Sequence, residues 1–243
     1  MQNQTTFKRI AAISAMLAAP VTLACTIVLL MAVDFNTDLM ANPAGLITIG
    51  SPASEAFRWG SILELGAPTL LLVPAALYLW FWLKPRAPGL VTLYTVLGLA
   101  SLLLAAIGSL VRATIYPPLM AAYAQASETQ RDVLVVLFQS VTDFTFEGLY
   151  ALDLIFWGVW WLGIGPLLRS NRRSLGFVTT ILGIAFLGAG AGWLLRVAPL
   201  ARLENAFFLL PFWVVWLGLV IWRHDEVRVD TPERAAAMAS AIQ

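Results

Sequence analysis

The sequence predicts an all-α protein, a bundle of six membrane-spanning helices. Three observations predict it. Of the 243 residues, 60% are hydrophobic and 12% charged, half of the roughly 25% charge that a water-facing domain carries. The apolar residues cluster in six runs, each near the roughly 20 residues that carry an α-helix across about 30 Å of hydrocarbon. Lysines and arginines gather at the ends of those runs, and the mean hydropathy is +0.80. This composition excludes a disordered chain, a disulfide scaffold and a soluble enzyme. The net charge of +1 argues against a nucleic-acid partner.

The spans fall at approximately 10–33, 61–83, 90–111, 144–165, 176–195 and 206–222, which makes 1–223 a six-span membrane domain. Span one follows Lys8 and Arg9 and holds the only cysteine, Cys25. Thr22-Leu23-Ala24-Cys25 resembles a lipoprotein cleavage site, but the apolar run continues to Val33, so a retained span is favoured. In the 34–60 segment, Asn42-Pro43-Ala44-Gly45 and Gly50-Ser51-Pro52 are turn chemistry, and Ser51-Pro52 reads as the helix start leading into span two. A short basic loop, 84–89, makes spans two and three a hairpin. Ser127-Glu128-Thr129-Gln130 reads as a capping box that starts a helix upstream of span four. From there to Leu168 the helix would be about 60 Å long, twice the bilayer core, so its first part projects from the membrane or lies along it. A second short basic loop, 169–173, joins span five. Its Gly188-Ala189-Gly190-Ala191-Gly192 run predicts close helix packing. Pro20, Pro68, Pro74 and Pro211 lie inside spans and predict kinks. Residues 224–243, which begin with the only histidine, His224, form a polar tail.

Basic residues set the orientation. Lys8, Arg9, Lys84, Arg86, Arg169, Arg172, Arg173, Arg223, Arg228 and Arg234 share one side; Arg58, Arg112, Arg131, Arg196 and Arg202 share the other. Ten against five places both termini in the cytoplasm. Trp80, Trp82, Trp160, Trp161 and Trp222 would form an inner aromatic belt, and Trp59 and Trp193 an outer one.

Val91–Leu110 laid on Gly176–Leu195 without gaps gives seven identities in twenty positions, among them Thr95/Thr180, Gly98/Gly183 and Leu110/Leu195. Arg112 and Arg196 follow the two segments. Two readings stand: shared membrane composition, or a duplication in which spans 2–3 and 4–5 are parallel helical-hairpin repeats.

Phe57-Arg58-Trp59-Gly60-Ser61-Ile62-Leu63-Glu64-Leu65, at the opening of span two, resembles a segment of a bacterial family of multi-pass proteins catalogued as a domain of unknown function, DUF4386. Asp153-Leu154-Ile155-Phe156-Trp157-Gly158, then a basic loop and Ser174-Leu175-Gly176 with Leu182-Gly183, is similar too. The likeness covers most of the chain. It implies a multi-pass protein of the bacterial cytoplasmic membrane and supplies neither an activity nor site residues.

Catalytic constellations are missing. No histidine lies within a span, which removes the base of a Ser/His hydrolase and the ligand of a haem or zinc site. Lys8 and Lys84 are the only lysines and both flank spans. The sequence therefore leans away from an enzyme and implies no cofactor and no metal. What remains is a set of ionisable residues in or beside spans: Glu64, Arg112, Asp143, Glu147, Asp153 and Arg196. Such groups are costly in lipid and usually face the bundle interior or water. Gln139, Asp143, Glu147 and Tyr150 share a helical face by spacing, and Asp153 lies deeper. Read blandly, these are interfacial ion pairs, the favoured reading for Arg112 and Arg196 alone. The Asp143/Glu147 stripe points the other way, because like charges one turn apart repel unless a cation, proton or arginine joins them. Two functions stay open: an outward-facing polar pocket for a small polar ligand, cation or proton, or an accessory subunit of a membrane complex. The partners expected are the lipid bilayer and a membrane protein or a second copy of the chain.

Overall fold

The computed structural model describes residues 2–40, 42–170 and 172–224. Six helices are long and apolar enough to cross a membrane: α1 (Gln4–Ala32), α2 (Ala53–Leu83), α3 (Pro88–Gln125), α4 (Glu128–Arg169), α5 (Arg173–Leu194) and α6 (Ala198–Trp222). No strand occurs among the described residues. Each expected segment falls inside one of these helices to within a residue, and the helices begin earlier than the expected spans, by 2 to 16 residues. The third helix does not stop at 111. It runs on through Pro117 and Pro118 to Gln125 and meets the helix expected from Ser127, so α3 and α4 form a helical hairpin whose turn is at 126–127. The expected capping box closes it: the Ser127 backbone N–H donates to Gln130 Oε1 at 3.0 Å. The 34–60 segment folds into one-turn helices, Thr37–Met40 and Pro43–Leu46, before α2; Asn42 Oδ1 accepts from the Gly45 N–H at 3.2 Å. The tail 225–243, with Arg228 and Arg234, lies outside the described residues.

Helix ends fix which loops share an end of the bundle. Lys8 Nζ donates to the His224 carbonyl at 2.8 Å, and the Tyr78 hydroxyl meets His224 Nδ1 at 2.9 Å. Phe7 packs on Tyr78 and Phe81. The start of α1, the end of α6 and the 84–87 turn are therefore neighbours.

Small residues decide the packing. Along α1, Ala11, Ala12, Ala15, Ala18 and Ala19 are buried, and Ala12 faces α6, where a methyl on Gly218 would stand 2.8 Å from its carbonyl. Glycines on α4 and α5 recur at seven-residue spacing: Gly158 and Gly165 face Gly176, Gly183 and Gly190. A methyl on Gly158 would meet the Leu187 nitrogen at 2.6 Å, and one on Gly190 would meet the Ala151 carbonyl at 2.6 Å. With no Cβ between them the two backbones touch, which in lipid replaces the missing hydrophobic drive with dispersion contact. The Gly188/Gly192 pair does a different job. Gly188 lies under the Leu203 side chain and Gly192 under the backbone of Leu200 and Ala201, so this pair seats the start of α6.

Two apolar cores result. The larger joins the spanning halves of the helices around Trp157, Trp161, Phe186, Phe207 and Trp213; Trp161 stacks on Trp213 at 4.2 Å, and the Trp213 indole donates to Thr179 Oγ1 at 2.9 Å. Trp160 and Trp161 are fully buried here, so they do not belong to the aromatic belt expected from the sequence. The smaller core joins the far ends of α1 to α4 with the one-turn helices, through Leu29, Ile47, Phe57, Tyr116 and Phe138.

Candidate functional site

Between the two cores lies a polar layer. Glu64 of α2, Arg112 and Ser109 of α3 and Tyr150 of α4 meet there. Arg112 pairs with Glu64 through Nη2, and the same nitrogen donates to the Tyr150 hydroxyl at 2.8 Å. That hydroxyl donates in turn to Glu64 Oε1 at 3.0 Å, with Ser109 Oγ 3.4 Å away. The guanidinium also lies over the Tyr150 and Phe146 rings, at 5.2 and 5.8 Å. Arg112 is 4% exposed and Glu64 21%, so the pair is withdrawn from bulk water. Gly108 makes room for Tyr150: a methyl there would stand 3.0 Å from the ring.

Local sequence explains why Glu64 and Tyr150 sit where helices loosen. Pro68 has no N–H to give to the Glu64 carbonyl, and the Thr69 hydroxyl substitutes at 3.4 Å. The helix widens into a π turn over Leu65–Thr69 and tightens to a 3-10 turn over Leu70–Leu72. A second π segment spans Phe144–Tyr150. Single π turns inside α-helices concentrate at functional sites.

That second segment redistributes the stripe expected on α4. An ideal α-helix would keep Asp143, Glu147 and Tyr150 on one face, but the wider turn separates them. Tyr150 points into the layer. Glu147 instead meets Arg196 Nη2 at 3.0 Å in a more open pair, with side-chain exposures of 36% and 80%. Asp143 is half-buried and makes no ion pair among the described residues, and Gln139 is exposed. Arg196 holds a left-handed backbone, φ 54°, just past the end of α5, where the Val197 N–H closes on the Gly192 carbonyl at 2.8 Å. Each hairpin thus carries one carboxylate–arginine pair joining its two helices. The partners lie 49 residues apart in α4–α5 and 48 apart in α2–α3.

Asp153 joins neither pair. It is 4% exposed and accepts a hydrogen bond from Ser101 Oγ of α3, itself fully buried. Ser101 and Ser109 of α3 and Tyr150 of α4 complete the polar contacts. Two surface hollows lie elsewhere. One, of about 460 Å³, is lined by Asp132, Val133, Val136, Leu137 and Ser140; the other, of about 420 Å³, lies beside Asp34, Ile49 and Ala56. Among the described residues no cluster of histidine, cysteine and carboxylate side chains could hold a metal ion.

Residues 17–222 match the family described as Domain of unknown function (DUF4386). No curated protein and no solved structure matches the chain.

Proposed function

The chain belongs to the DUF4386 family of proteins with a domain of unknown function, and from the polar layer we propose that it binds or conducts a small polar ligand, a cation or a proton. One observation carries this reading. Three spanning helices bring ionisable or hydroxyl side chains to a single buried layer, at two π segments, between two apolar cores. Ionisable groups at such depth are costly and usually mark pathways or sites. Glu147, Arg196 and Asp143 form the more open rim on α4 and α5, and Asp153 the deepest member of the set. The basic asymmetry supports a cytoplasmic location for both termini, in a bacterial cytoplasmic membrane, with the layer toward the outer face. The matching carboxylate–arginine pairs favour two parallel hairpin repeats.

The test is flux and binding with purified protein. Liposomes containing the chain and a pH-indicating or alkali-cation-indicating dye should equilibrate faster than empty ones under an imposed gradient, and Glu64→Gln should slow them. Equal rates for protein and empty liposomes, together with an unfolding midpoint that neither pH nor NaCl nor KCl moves, would sink the reading. The accessory-subunit reading would then lead. It has its own support in the hollow between Asp132 and Ser140, on the part of α4 that outruns a bilayer, where Val133 and Val136 are each 66% exposed.

A further inference from the structure

We propose that Asp153 and Ser101, where α3 crosses α4 below the polar layer, form a seat for one positive charge, a proton or an alkali cation, and that this charge is the ligand admitted by the layer. The inference rests on the binding or conduction reading above.

The argument is one of charge balance. A carboxylate inside a membrane is costly and is normally answered by a cation or by water. This chain answers Glu64 with Arg112 and Glu147 with Arg196. Asp153 is more deeply buried than either carboxylate, yet no lysine, arginine or histidine among the described residues pairs with it. Ser101 supplies a hydrogen bond and no charge.

The groups facing Asp153 cannot make up the difference. On its own helix the titratable neighbour is Tyr150, one turn toward the layer. On α3, Arg112 lies eleven residues beyond Ser101, about 16 Å along the axis, and is already engaged by Glu64. On α5, the surface against this turn of α4 is Gly190, packed on Ala151 and Ile155. One turn further in, Trp157 buries an indole N–H that no acceptor among the described residues meets. Toward the outer end polar side chains continue through Tyr150 and Ser109 to Glu64, which gives a polar approach from the layer to Asp153.

The experiment uses the full chain in detergent or liposomes. N,N′-dicyclohexylcarbodiimide reaches buried carboxylic acids through lipid, and mass spectrometry of the Asp153 peptide reads its addition. The expected result is labelling at Asp153 in the wild type and none in Asp153→Asn. Labelling that falls as pH rises and ignores NaCl and KCl identifies a proton; labelling that either salt suppresses at fixed pH identifies an alkali cation. In parallel, the difference in unfolding midpoint between wild type and Asp153→Asn should vary by about 3–6 °C for each tenfold change in the concentration of the bound ion above its dissociation constant. Absence of labelling at every pH, with midpoints of the two proteins moving in parallel, would overturn the seat and identify Asp153 as a clamp between α3 and α4. Labelling with no flux in liposomes would leave the seat standing and remove conduction from the reading above.

Discussion

The Tyr150 hydroxyl donates to Glu64 Oε1 at 3.0 Å while accepting from Arg112 Nη2 at 2.8 Å, so one phenol ties α4 to the ion pair between α2 and α3. An arginine beside a carboxylate in a buried layer needs its remaining donors met, and Tyr150 meets one of them from the third helix.

Removing that hydroxyl should loosen the layer without emptying it. Tyr150→Phe keeps the ring over the guanidinium and loses two hydrogen bonds, for an expected destabilisation of about 1–3 kcal/mol. Thermal unfolding in one fixed detergent checks it. A midpoint equal to wild type would show that the hydroxyl is idle.

The ion pair itself should respond more strongly, and non-additively. Glu64→Gln or Arg112→Gln leaves a buried charge alone, at an expected cost of about 3–5 kcal/mol. The double variant removes both charges and should recover part of the loss. A double-mutant cycle on unfolding midpoints measures the coupling, and strictly additive losses would contradict it.

The second pair predicts the opposite. Arg196 is mostly exposed and its backbone is left-handed, so Glu147→Gln should change stability by less than about 1 kcal/mol. Arg196→Gly loses a weak pair and gains a residue that adopts φ 54° freely, so it should be neutral or stabilising. A large midpoint drop for Arg196→Gly would show that the pair matters more than its exposure allows.

Packing between α4 and α5 should be intolerant at the seven-residue glycines. Gly183→Leu or Gly190→Leu drives a side chain into the α4 backbone and should prevent a folded monodisperse preparation, read by size-exclusion profile and unfolding midpoint. Gly89→Ala, where nothing lies within 4 Å of the added methyl, should be neutral or mildly stabilising. Equal behaviour of the three variants would refute the assignment of the interface.

Orientation is checked by accessibility. In a Cys25→Ser background, a cysteine at Ser170 should react only from the cytoplasmic side and one at Ala44 only from outside. Reaction of both from one side of intact cells would reverse or break the topology.

The sequence by itself determined the class and the number of spanning helices. Hydropathy, proline and basic residues act through the solvent each segment prefers, which is a local property. It also placed the capping box at Ser127 and the short basic turns, because those are contacts within a few residues. It picked out Glu64, Arg112, Glu147 and Arg196 as costly in lipid. What it could not supply was pairing. Spacing put Asp143, Glu147 and Tyr150 on one face, but the π segment at Phe144–Tyr150 breaks the 3.6-residue period, turning Tyr150 inward while leaving Glu147 at the rim. Trp160 and Trp161 looked like interface anchors because burial depends on neighbouring helices, here Gly98 of α3 beneath Trp160 and Trp213 of α6 against Trp161. Gly188 and Gly192 stood out by local density, whereas the glycines that let α4 and α5 touch repeat at seven-residue spacing across two helices. Ser101 gave almost no signal, since a single serine in a span bonds its own backbone at little cost; only the crossing of α3 over α4 brings it to Asp153.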